Sequence, residues 1–387
     1  MTNQTSKKDL NNLLSKIDLT ETQRKRAEDL YTNICKAIES KTGLSINFYP
    51  QGSFATRTAV RPYSKSKNQS YDVDVICEVV DLSKEIGPKK LMSIFEDALS
   101  ESRYTFIKWE KCFTIKYEKQ EGVDFSIDII PATKESIEAI NRIRTVTENV
   151  YLVDSSIAIP DVSESKSRWI SNNPIGYVTW FNTQTASYER IFESFRDKEF
   201  KASITDIPED SATNMMRNVI KILKRLRDVY YVRKDSDNKP SSIVITTIVA
   251  KLSNRIGYVQ DESSLLDKVV IELQQLRSSL MKGSSKTSIE AGYFMMNIVN
   301  FNDGQWTLKN PANGLDNILS SWNENKVAAE EFFSWVENLS NVISQQKDVR
   351  HSQTRKELSM ADAFGFETES NQTTYEVDSS KARPWGE

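Results

Sequence analysis

Apolar residues near the start of the chain recur at helical spacing. Leu10, Leu13, Leu14 and Ile17 share one helix face, and Ala27, Leu30, Ile34 and Ala37 share a face of a longer second helix. Thr20-Glu21-Thr22-Gln23 has the order of a capping box for that second helix, and Gly43 is suited to end it. The period then changes. Leu44 to Tyr49 predicts a short strand, followed by Gly52-Ser53 and a helical turn over Phe54 to Val60. Residues 61–70 are polar and predict a loop. From Tyr71 to Val80, Asp72, Asp74, Ile76 and Glu78 alternate with Val73, Val75, Cys77 and Val79, the period of a half-buried strand. An amphipathic helix is predicted over Lys89 to Ser100. Three strands follow: Tyr104 to Trp109, Cys112 to Tyr117, and Val123 to Ile130, with Pro131 ending the last.

Residues 145–168 predict connecting structure, with Tyr151-Leu152-Val153 as a candidate strand. From Trp169 the pattern becomes mostly helical. Helices are predicted from Asn173 toward Glu193, over Ala212 to Tyr230, Ser241 to Leu252, Leu265 to Ser279, Asp316 to Leu319 and Val327 to Gln345. The expected organisation is α+β. A core with N-terminal helices and a mixed sheet spans 1–168, a helical lobe spans 169–366, and a polar tail expected to be disordered spans 367–387.

Composition narrows the chemistry. The 387 residues are 38% hydrophobic and 10% aromatic, enough for a sizeable core. A net charge of −3 argues against a protein held on nucleic acid by overall positive charge, so no dedicated template is expected. Cys35, Cys77 and Cys112 have neither metal-ligand spacing nor an even disulfide count, which fits a reducing compartment. No apolar run reaches the length of a membrane span, and Met1 to Lys8 is polar, so a cytoplasmic protein is expected. The single histidine, His351, lies in a polar stretch that reads as surface. A histidine pair is thereby excluded and a triad has only this one residue to draw on, so chemistry is expected to rest on carboxylates with a metal or a raised pKa.

Gly52-Ser53 follows a predicted strand and opens a helical turn. Glycine lets backbone approach a phosphate closely, and the amides and serine hydroxyl can donate to its oxygens. Asp72 and Asp74 are two apart in a strand and therefore share a face. Asp124 and Asp128 share a face of another strand. Asp128 lies deeper, before Ile129-Ile130, where a carboxylate requires a positive partner such as Mg²⁺; Asp124 reads as a solvated strand-start residue. Three carboxylates from two strands suit a two-ion phosphoryl or nucleotidyl transfer. In the predicted helix 212–230, Met216, Val219, Leu223, Leu226 and Tyr230 form an apolar stripe. Arg217, Lys221, Lys224 and Arg225 fall opposite it and read as a solvated face.

Gln51-Gly52-Ser53 with Thr58, then Asp72-Val73-Asp74, then Asp128-Ile129-Ile130-Pro131 resembles the polymerase-β-like nucleotidyltransferase signature. Asn173-Pro174-Ile175-Gly176-Tyr177, the basic helix before Pro240-Ser241-Ser242, and Asn310-Pro311-Ala312-Asn313 with Asn317 and Trp322 are similar to stretches of bacterial cGAS/DncV-like enzymes, the CD-NTases with a SMODS domain. The resemblance implies a core and a helical lobe with a central cleft. It implies nucleoside triphosphate substrates, ATP among them, joined into cyclic di- or trinucleotides with two Mg²⁺ or Mn²⁺ ions. It implies Gln51, Gly52, Ser53, Thr58, Lys224 and Ser242 as nucleotide contacts, Lys221 as the alternative lysine, and Asp72, Asp74 and Asp128 as metal-binding catalytic residues. It also implies anti-phage defence (CBASS) through an effector protein that the product activates. Some relatives carry a base-stacking aromatic after the serine, where this chain has Ile243. Trp385 in the polar tail suggests a docking or conjugation point for a regulatory partner. An RNA-tailing transferase and an inactive nucleotide-binding module remain the alternatives.

Overall fold

Thr20 starts the first long helix as its spacing predicts. In α1 (Glu21–Thr42) the Thr20 hydroxyl accepts from Gln23 N while Gln23 Oε1 accepts from Thr20 N, and Gly43 closes the helix at φ +61°. The chain then runs through β1 (Ile46–Pro50), the helical turn α2 (Gly52–Ala55), β2 (Ser70–Val79), α3 (Pro88–Glu101), β3 (Phe106–Lys108), β4 (Phe113–Gln120) and β5 (Val123–Lys134). This computed structural model describes residues 10, 12–66, 70–80, 82, 86–120, 123–188, 214–257, 259–281, 298–348 and 360–366. His351, the end of the helix predicted toward Glu193 and the tail 367–387 with Trp385 lie outside the described residues.

The strands form one sheet in the order β1-β2-β5-β4-β3, with β2 and β5 parallel and the other pairs antiparallel. Alternation sorts the side chains. Val73, Val75 and Cys77 of β2 join Phe125, Ile127 and Ile129 of β5 in a core closed by α1 and α3. Asp72, Asp74 and Asp128 therefore fall on the opposite face.

Two sequence expectations fail in this region. β5 does not end at Pro131 but continues to Lys134. Pro131 pairs with Cys77 on the β2 side, while on the other side β4 has ended at the Ile129 partner and β6 begins only at Thr133. The missing proline N–H thus falls in a gap between neighbours. Nor is 145–168 merely connecting. After α4 (Ile137–Val146), Tyr151-Leu152-Val153 lies in a 3₁₀ helix (Val150–Ser155) rather than a strand, and β6 (Ile157–Val162) and β7 (Ser167–Asn172) extend the sheet to seven strands. β7 carries the sheet past Trp169, to Asn172.

The helical part comprises α5 (Pro174–Thr185), α6 (Met215–Lys234), α7 (Ser242–Ile256), α8 (Glu262–Met281), the short strands β8 to β11 (Asn300–Asn302, Gln305–Thr307, Lys309–Asn310, Asn313–Asn317), α9 (Ser320–Glu324), α10 (Lys326–Asp348) and α11 (Met360–Ala363). The helix predicted at Asp316 to Leu319 is instead the end of β11 and a turn. Asn317 Oδ1 accepts from the backbone of Leu308 and Leu319, which fixes the chain locally in a non-helical path. Leu10, Leu13, Leu14 and Ile17 pack into the core of this helical part, not that of the sheet.

Buried polar groups bind the two parts together. Asn173 caps α5 by accepting from Gly176 N, and its amide donates to the carbonyls of Leu152 and Ala312. The cation side of α6 is not the solvated face its pattern suggests, because Arg217, Lys221, Lys224 and Arg225 are all buried. Lys221 Nζ lies 2.9 Å from Asp18 Oδ1, and Arg225 donates to the Arg61 carbonyl at 2.8 Å. The helix is apolar on one side and bolted to the sheet-bearing part on the other.

Candidate active site

β1 delivers the chain to Gln51, whose amide donates to the Asp74 carbonyl at 2.9 Å and ties the Gly-Ser turn to the acid-bearing strand. Gly52 has φ +64°, a conformation that favours glycine, and a Cβ there would collide with Asp74 Oδ2. Gly52 is thus required by both backbone and proximity. We expect Gly52→Ala to cost on the order of 1–3 kcal/mol of stability and to reduce turnover at least tenfold by displacing the Asp74 carboxylate. Denaturant titration beside initial rates measures both effects. Unchanged rates would mean that the carboxylate position is not critical.

The parallel register places Asp74 directly opposite Asp128, and the next strand places Thr114 opposite Asp128. The Thr114 hydroxyl donates to Asp128 Oδ1 at 2.5 Å. Asp72 is held otherwise: Ser70 Oγ donates to its Oδ1 at 2.9 Å, and Ser126 Oγ donates to the same atom. Burial, with the charges of Asp128 and Asp72, pushes the Asp74 carboxyl up to about 7. Burial also raises Asp128, opposed by the Thr114 hydrogen bond and assisted by Asp72. The protein group bonded to Asp128 is the Thr114 hydroxyl. Asp124, opposite Ser70, is half-buried rather than solvated.

Beside the acids lies a cavity of about 230 Å³. Ser53 and Thr58 line it from the turn, Asp72 from β2, and Lys224 and Ser242 from the helical part. Lys224 is 1% exposed and donates to the Thr58 carbonyl at 3.0 Å and its hydroxyl at 2.7 Å. Burial, aided by the Arg227 charge, lowers the Lys224 ammonium to about 7. Gln51, Gly52 and Lys221 do not line the cavity; Lys221 serves instead as the ion-pair partner of Asp18. Sequence reasoning missed Arg227, which donates to the Pro240 carbonyl and to Ser242 Oγ while pairing with Asp228. It also missed Ser70, Thr114 and Ser126. Strand register is the signal for Thr114, opposite Asp128, and Ser126, opposite Asp72; for Ser70 it is the position two before Asp72 on the same strand.

Could this set hold a divalent cation? Three carboxylates on one sheet face are the hard oxygen donors that Mg²⁺ prefers. Burial first, then mutual repulsion, raises Asp74 and Asp128, and a cation would relieve both. Among the described residues no three acidic, cysteine or histidine side chains already converge at metal-binding distance. The residues fit the ion in donor type and in the sheet face they share.

A mixed sheet carrying acids opposite a Gly-Ser turn, with a lysine helix closing the cavity, defines the polymerase-β-like nucleotidyltransferase fold. Residues 4–184 match the Second Messenger Oligonucleotide or Dinucleotide Synthetase domain, SMODS. The chain is similar to the CD-NTases, the cGAS/DncV-like proteins. It is 23% identical over 357 residues to the c-di-GMP synthase of Roseivirga ehrenbergii, covering 90% of this chain and 81% of that one. Its fold is similar to that of the Bradyrhizobium diazoefficiens CD-NTase CdnG in complex with GTP, at TM-score 0.60 and 16% identity, over 87% of this chain and 91% of the other. It is also similar to Vibrio cholerae DncV cyclic AMP-GMP synthase in complex with nonhydrolyzable GTP, at TM-score 0.59 and 14% identity, over 91% and 92% of the two chains.

Proposed function

We propose that this chain joins nucleoside triphosphates into a cyclic di- or trinucleotide with release of pyrophosphate. The observation that carries the reading is the Asp74–Asp128 register pair with Asp72 at the mouth of a cavity lined by Ser53, Thr58, Lys224 and Ser242. In this reading the cavity holds the donor triphosphate. Ser53 and Ser242 donate to its oxygens and Lys224 supplies positive charge. The α-phosphorus sits above Asp72 and Asp74, and a ribose hydroxyl of a second nucleotide attacks it from the Asp128 side. The new P–O bond forms as the bond to pyrophosphate breaks, and the hydroxyl proton leaves on the Asp128 side. Asp72, Asp74 and Asp128 would hold two Mg²⁺ ions, with Mn²⁺ as a substitute. Such ions activate the attacking hydroxyl and offset charge on the leaving group. A second round between the ends of the linear product closes the ring.

The relatives named for c-di-GMP and cyclic AMP-GMP synthesis support purine triphosphates as substrates, with ATP one of them. The same reading places the product upstream of an effector protein in anti-phage defence, with the C-terminal tail as a site for a regulatory or conjugating partner. It requires no RNA template and no membrane, and no helix among the described residues is long and apolar enough to cross one. The test is to incubate the full chain with the four triphosphates and Mg²⁺ or Mn²⁺. A phosphatase-resistant product without RNA, identified by mass spectrometry, is expected. Products formed only on added RNA would replace this reading with end-tailing, and no product with either metal would leave an inactive binder.

A further inference from the structure

The acids do not end the polar row on their sheet face. Across the strands, Asp74 lies opposite Asp128, Asp128 lies opposite Thr114, and the Thr114 hydroxyl bonded to Asp128 also accepts from Trp109 Nε1 at 2.9 Å. Trp109 follows β3, and its amide donates to the Cys112 carbonyl at 2.9 Å, closing the β3–β4 turn. That turn is near the acids: burial first, then the charges of Asp128 and Asp74, push the Cys112 thiol up to about 12. Yet the Trp109 side of the row is open, with the residue 54% exposed.

An exposed tryptophan whose indole N–H is satisfied presents a fixed apolar plate to solvent. Among the described residues the other exposed aromatic rings are Tyr151, in the 3₁₀ helix, and Phe301, in β8. Trp109 is the one hydrogen-bonded into the acid row. The cavity reaches the acids on the far side from Trp109, at Asp72, two residues before Asp74 on β2. Displacement at phosphorus brings the nucleophile in opposite the leaving group. With the triphosphate in the cavity, the attacking nucleotide enters from the Asp128 and Thr114 side, where Trp109 stands.

Resting on the synthase reading, we propose that Trp109 is the platform on which the base of the attacking nucleotide stacks. The Trp109–Thr114–Asp128 chain sets the distance between that base and the acid that receives its hydroxyl. Base stacking on an aromatic side chain tolerates different bases and favours larger ring systems. Trp109 therefore selects for purine over pyrimidine without fixing which purine.

The test titrates adenosine and guanosine 5′-monophosphate, which lack a triphosphate, into the full chain by calorimetry. Inorganic tripolyphosphate, which lacks a base, is titrated in parallel. Trp109→Ala should weaken monophosphate binding about 5- to 150-fold, the span of a lost stacking contact. Trp109→Phe should recover most of the loss, and tripolyphosphate binding should stay unchanged in both variants. Equal losses for tripolyphosphate, equal losses in the Ala and Phe variants, or monophosphate binding that is absent from wild type or unmoved by Trp109→Ala would each overturn the proposal. Turnover separates it from the reading it rests on. Wild type that binds monophosphate through Trp109 but makes no product keeps the platform and removes the synthase. Product formation with Trp109→Ala binding like wild type does the reverse.

Discussion

Asp74→Asn is expected to lower turnover on the order of 10²–10³-fold or more while making the metal-free protein more stable. Both effects arise from the same charge. Asp74 is flanked by Asp128 and Asp72 and largely removed from water, and burial with these two charges raises its carboxyl to about 7. An acid whose folded value exceeds its unfolded value adds stability at low pH, where both states are protonated. That contribution is lost as pH rises from about 4 through 7. Near pH 8 the ionised group therefore costs the metal-free fold on the order of 2–4 kcal/mol. The amide removes this cost and also removes an anionic donor that the proposed two-ion site requires. Thermal unfolding from pH 4 to 8 in chelator should show wild type weakening as pH rises, with the variant flatter and higher at pH 8. Adding Mg²⁺ or Mn²⁺ should raise the wild-type midpoint much more than that of the variant. A variant that matches wild type in pH profile and metal response would dismiss Asp74 as a cation ligand. Stability and activity are here opposed at one oxygen pair, as expected of an acid cluster kept for chemistry.

Much of this site is local in sequence. Alternation in Tyr71 to Val80 gives the face of Asp72 and Asp74 directly, and Thr20 to Gln23 gives the helix start to the residue. What a linear pattern cannot carry is the partner across a sheet. Thr114 becomes visible only when β4 is set against β5, Ser126 only when β5 is set against β2, and Ser70 only when β2 is seen to begin one residue earlier. The reading of Arg217, Lys221, Lys224 and Arg225 as solvated failed for a related reason. Helical periodicity separates apolar from charged faces but does not say whether a second polar layer covers the charged one. Asp18, Thr58 and the Arg61 carbonyl come from distant sequence to meet them. Pro131 misled because a proline breaks a strand only where a neighbour needs its N–H, and β5 has no such neighbour at that position.

Lys224 yields the second large effect. Its Nζ already donates to both oxygens of Thr58 while fully buried, and burial with the Arg227 charge lowers it to about 7. A neutral amine has two N–H bonds, both accounted for by Thr58; the third exists only in the ammonium form. A triphosphate in the adjoining cavity favours that form. Its binding above pH 7 must therefore take up a proton, so affinity should fall as pH rises, by up to about tenfold per unit. Stability moves in the opposite sense. A lysine depressed from 10.5 to about 7 costs the unliganded fold most below pH 7, and the cost disappears as pH approaches 10.5. Calorimetry with a nonhydrolysable triphosphate, in buffers of unlike ionisation heat, should detect uptake of a substantial fraction of a proton at pH 8. Lys224→Met should abolish the uptake, weaken triphosphate binding on the order of 10²-fold and leave the fold intact, since methionine fills the same stem without a buried charge. PH-independent binding in wild type, or Lys224→Met binding as tightly, would place the phosphates elsewhere. With the outcome as expected, burial beside Arg227 keeps the lysine neutral until the anion arrives. The buried charge then forms only in the complex, where it has a partner.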